Sequence, residues 1–114
     1  MIINNVELED LDILEAGVAE RYEKVLERVV EAAKKTEGLK MAESIRKQCE
    51  AVFMCFNEIF GEGTDKKVFG ERVNLLICMK AFEELVEKAN EQKSELDKLL
   101  NKYSPNRAQK RGKK

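Results

Sequence analysis

The sequence predicts a mostly α fold: a three-helix bundle with a small N-terminal β-hairpin, a long C-terminal helix and a disordered basic tail. Three observations predict it. Apolar residues recur at steps of three and four along three long segments. Only one Pro, Pro105, stands in 114 residues, so nothing interrupts those segments. Charged residues make up 38% and hydrophobic residues 43%, the mixture of amphipathic helices around one core. A chain of this length makes one domain.

Residues 1–13 read as the hairpin. Ile2-Ile3-Asn4-Asn5-Val6-Glu7-Leu8 sets two Asn between β-branched runs. Asn tolerates the positive φ of a tight turn. Val6, Leu8 and Leu11 alternate with acidic residues, as in a half-buried strand.

Helix 1 is expected over 15–35, with Leu14, Val18, Tyr22, Val25, Leu26, Val29, Val30 and Ala33 in its stripe. Glu20–Lys24 and Glu31–Lys35 are favourable (i, i+4) pairs. Gly38 suits the C-terminal cap. Helix 2 is expected over 40–60, with Met41, Ile45, Cys49, Val52, Phe53, Phe56, Ile59 and Phe60 on one face. Met54 and Cys55 widen that face. Gly61-Glu62-Gly63 breaks the helix. The segment 61–73 reads as a loop carrying an exposed aromatic, Phe69, and loops of that length are often functional.

Helix 3 is expected over 74–101, with Asn74 as N-cap. Leu75, Cys78, Met79, Phe82, Leu85, Val86, Ala89, Leu96, Leu99 and Leu100 follow helical spacing. At 1.5 Å per residue it spans roughly 42 Å, longer than a compact domain of this size needs. It therefore overhangs its own bundle, and the overhang is either solvated or paired with another copy. Residues 102–114 form a separate basic tail. Lys102, Arg107, Lys110, Arg111, Lys113 and Lys114 give it +6 with no acid, and the rest of the chain carries −7.

These residue types exclude much chemistry. There is no His, so no His general base and no His-ligated metal. Ser44, Ser94 and Ser104 lack a base, so no catalytic set is expected. Gly61-Glu62-Gly63-Thr64-Asp65-Lys66-Lys67 has the wrong order for a phosphate loop. Glu58, Glu62 and Asp65 do not match a Ca²⁺ loop. No cofactor is expected. Cys49, Cys55 and Cys78 fall inside apolar helical patterns and read as buried thiols, which points to a reducing compartment. No run reaches the length of a membrane span, and no signal peptide is evident.

Binding is what remains. Phe53, Phe56, Phe60, Phe69 and Phe82 read as core, yet Phe60 and Phe69 flank the Gly-rich loop and could anchor a partner. Phe53, Phe56, Phe60, Lys66, Lys67 and Phe69 are thus the partner-binding candidates. The basic tail is a solubilising segment, a docking peptide or a phosphate contact. Nucleic-acid binding is disfavoured, because Tyr103 is the one aromatic in the tail.

The sequence resembles a family of short phage and prophage proteins of Gram-positive bacteria. The residues that carry the resemblance are 2–8, Glu20-Arg21-Tyr22-Glu23, 44–53 (Ser-Ile-Arg-Lys-Gln-Cys-Glu-Ala-Val-Phe), 60–70 (Phe-Gly-Glu-Gly-Thr-Asp-Lys-Lys-Val-Phe-Gly), 81–86 and 103–111. Members of that family are similar to tail assembly chaperones of long-tailed phages. The resemblance implies a non-catalytic protein of the bacterial host cytoplasm that coats the tape measure protein and helps recruit tail tube subunits. A homo-oligomer through helix 3 is compatible with it. The alternative is a small phage protein that binds and inhibits a host defence protein.

Overall fold

The computed structural model describes residues 1–103. The chain is mostly helical. Its elements are β1 (Ile2–Ile3), β2 (Val6–Glu7), α1 (Ala16–Lys35), α2 (Met41–Phe60), α3 (Thr64–Phe69) and α4 (Leu75–Tyr103). The basic residues Arg107, Lys110, Arg111, Lys113 and Lys114 lie outside the described residues.

The hairpin forms as its sequence dictates. Asn4 and Asn5 take φ values of 52° and 63°, the left-handed turn that matches strand twist. Ile3 pairs with Val6 and Ile2 with Glu7. Ile3 is fully buried against the helices. The turn also ties two helices together. The Asn4 side-chain amide donates to the Val68 carbonyl at 2.8 Å, and its backbone N–H donates to Glu84 Oε1 at 3.2 Å.

Residues 8–13 run on without regular structure but bury Leu8, Leu11 and Ile13. Gln92 of α4 fixes this arm. The Ile13 N–H donates to Gln92 Oε1 at 2.7 Å, and Gln92 Nε2 donates to the Leu11 carbonyl. Both backbone groups lose their partner in Gln92→Ala. That change should cost about 1–3 kcal/mol and raise amide exchange in residues 8–13 ahead of the helices. Uniform exchange throughout the chain would show that the arm depends on Gln92 for nothing.

Helices α1 and α2 form an antiparallel pair, and α2 also packs against α3 and α4. Tyr22, Val25 and Val29 meet Cys49, Val52, Cys55 and Phe56, while Cys78, Ala81, Leu85 and Ala89 cover the other flank. All three cysteines are free and buried. Asn74 does cap α4, accepting the Ile77 N–H at 3.0 Å. Glu31–Lys35 closes at 4.0 Å on the exposed side of α1.

One expectation is corrected. Residues 61–73 are not a plain loop, because they contain α3. Gly61 lies at φ 115°, ψ 155°, a region that only Gly occupies readily. That turn lets Thr64 Oγ1 donate to the Gly61 carbonyl at 2.6 Å and the Asp65 N–H donate to Asn57 Oδ1 at 2.9 Å. The chain reverses and α3 lies back on α2. The molecule measures 53 × 33 × 23 Å, and residues 93–100 of α4 are all exposed.

Candidate partner-binding groove

The aromatic candidates come together, but mostly inside. Phe69 is only 6% exposed and Phe56 is fully buried. Their rings meet edge to face with centroids 5.4 Å apart. Phe53 tilts against Phe69 at 5.2 Å, and Phe60 stacks on Phe56 at 5.9 Å. Phe53 and Phe60 are half-buried. Phe56 and Phe69 are therefore corrected from partner contacts to core residues: the Gly61 turn carries α3 back so that Val68 and Phe69 face α2. Cys55 is buried, as expected for its thiol, so of the two residues read as widening the helix 2 face only Met54 is exposed.

Lys66 and Lys67 stay in solvent on α3. Lys66 Nζ lies 3.9 Å from a Glu71 carboxylate oxygen. That exposed pair is worth little. Among the described residues, no group of three or more His, Cys, Asp or Glu side chains could hold a metal ion, and no helix is long and apolar enough to cross a membrane.

The exposed apolar surface lies elsewhere. Helices α1 and α4 each pack on α2 and leave a groove between themselves. Val29, Val30, Ala33, Met79 and Phe82 line it, with Lys34 and Glu37 at its rim. A neighbouring depression along α1 adds Leu26, Glu27 and Glu31 and shares Val30 and Lys34. Val30 is half exposed. The groove thus has an apolar floor and a rim of both charges.

The sequence contained these residues but not their exposure. Val30 and Ala33 sit in the helix 1 stripe, and Met79 and Phe82 in the helix 3 stripe. Only the separation of α1 from α4 decides that they are uncovered.

A family model described as "Family of unknown function (DUF6673)" matches residues 4–114. The chain belongs to that family. No curated protein and no solved structure matches it. The match runs through the α3 turn and both walls of the groove.

Proposed function

We propose that this protein works by binding and not by catalysis, as a tail assembly chaperone that covers the tape measure protein in the bacterial host cytoplasm. The observation that carries the reading is the groove between α1 and α4. A tape measure is a long amphipathic helix, and its apolar stripe needs an apolar trough with a polar rim. Val30, Ala33, Met79 and Phe82 offer that trough, while Lys34 and Glu37 can meet the charged flanks of the same helix. The resemblance of the sequence to phage proteins supplies the partner. Recruitment of tail tube subunits would use surfaces outside the groove.

Co-expression with the tape measure protein of the same phage tests this. The tape measure should stay soluble and co-purify with the protein. Val30→Glu should abolish co-purification and leave the helices folded, because Val30 already reaches solvent. If the tape measure precipitates while the wild-type protein remains free, the chaperone reading fails. A search among host proteins would then follow.

A further inference from the structure

The buried face of α4 does not stop where its partners stop. Leu75, Cys78, Phe82, Leu85, Ala89, Gln92, Leu96, Leu99 and Tyr103 alternate at steps of three and four, which is an unbroken heptad seam. Cys78, Leu85 and Ala89 are fully buried, whereas Leu96 is 39%, Leu99 54% and Tyr103 77% exposed. The seam outlives the bundle by three apolar positions, and Leu100 beside it is exposed as well.

We propose that the distal end of α4 pairs antiparallel with the same segment of a second copy. This surface is separate from the α1–α4 groove, and the proposal does not depend on the partner assigned to that groove. The residues flanking the seam choose both the occupant and the direction. Parallel pairing would set Lys88 against Lys93 and Glu95 against Leu100 of the other copy. Antiparallel pairing about a two-fold axis between Leu96 and Leu99 sets Glu95 against Lys102, twice, and Leu96 against Leu99, twice. Flanking charges of this kind fix orientation more than affinity.

The two ends of the chain give an independent argument for the same direction. Residues 1–20 carry six acidic side chains and no Lys or Arg, and residues 102–114 carry six basic side chains and no acid. The antiparallel register places Tyr103 beside Gln92 of the other copy. Gln92 is hydrogen-bonded to Leu11 and Ile13, in the middle of the acidic segment. The basic run of each copy thus begins at the acidic segment of the other. A parallel register would instead start both basic runs at the same end of the pair.

Sedimentation equilibrium of the full chain, from micromolar to millimolar concentration, tests the proposal. A monomer–dimer equilibrium is expected. Leu99→Glu, at an exposed site, should weaken the dimer about 100-fold or more with an unchanged circular dichroism spectrum. Direction is read by disulfide trapping in an equimolar mixture of Glu95→Cys and Lys102→Cys chains, since the native thiols are buried. Trapping of position 95 to position 102 is expected. A monomer at every concentration would mean that another protein, or the chain's own basic end, covers the seam. That result overturns the proposal, as does a dimer indifferent to Leu99→Glu, or trapping of each variant only to itself.

Discussion

Phe69→Ala should unfold most of the chain's margin of stability. The ring is buried between Phe53 and Phe56 at the junction of α2 and α3. Removing such a ring costs about 3–5 kcal/mol, as lost transfer energy plus the cavity left behind. Domains of this size are stable by roughly 5–15 kcal/mol. The melting temperature should therefore fall by about 15 °C or more. Phe69→Glu should not fold at all, because a carboxylate would be buried between two aromatic rings with no partner. Phe69→Leu keeps much of the volume and should fall between these and the wild type. A Phe69→Ala protein that melts within a few degrees of the wild type would place the ring in solvent, as a partner anchor would require.

Stability should also fall steeply in mild alkali. Burial pushes the thiols of Cys55 and Cys78 up to about 12, and the Cys49–Cys78 contact adds to the shift at Cys78. Burial raises the Cys49 thiol as well. In the unfolded chain these thiols ionise near the ordinary value of about 8.5. Between the two values the native state holds protons that the unfolded state has released, so rising pH favours unfolding. The stability is fully present below about pH 8. Above that it declines by about 1.4 kcal/mol per pH unit for each of Cys55 and Cys78. Urea midpoints at pH 7, 9 and 10, with reductant present, should decrease in that order. The double variant Cys55→Ala/Cys78→Ala should be less stable at pH 7 but show a flatter decline. A midpoint constant from pH 8 to 10 would mean that the thiols are not held away from water.

Periodicity made the three long helices legible, because each carries an apolar stripe over five turns or more. The hairpin was legible in Asn4-Asn5, whose chemistry permits the turn. Helix α3 was not, since six residues are fewer than two turns and carry no period. Its determinants are a glycine in a conformation closed to other residues and two polar bonds, from Thr64 and to Asn57. Of these the sequence displays only the glycine. The same gap left Phe69 open between core residue and partner anchor, and the structure decides for core. An aromatic beside a glycine looks exposed until the turn that folds it inward is known. The groove was hidden for a different reason. Val30 and Phe82 belong to ordinary helical stripes, and exposure there is a matter of how far apart two helices are set by a third. The overhang of α4 was legible from length alone, but its polar stretch is not all free: Gln92 belongs to the body through Leu11 and Ile13.

The groove is the centre of this account, and a crosslinker placed in it gives the most direct test. A photoreactive side chain at position 30 would lie in the groove. One at Ile2 would lie on the hairpin, on the Glu84 side of α4. Phe82 and Glu84 are two residues apart and so point to nearly opposite faces of that helix. With the tape measure protein co-expressed, irradiation should join it to the chain labelled at position 30 and leave the chain labelled at Ile2 free. Adducts from Ile2 alone, or from neither position while the two proteins still co-purify, would contradict the groove as the binding surface.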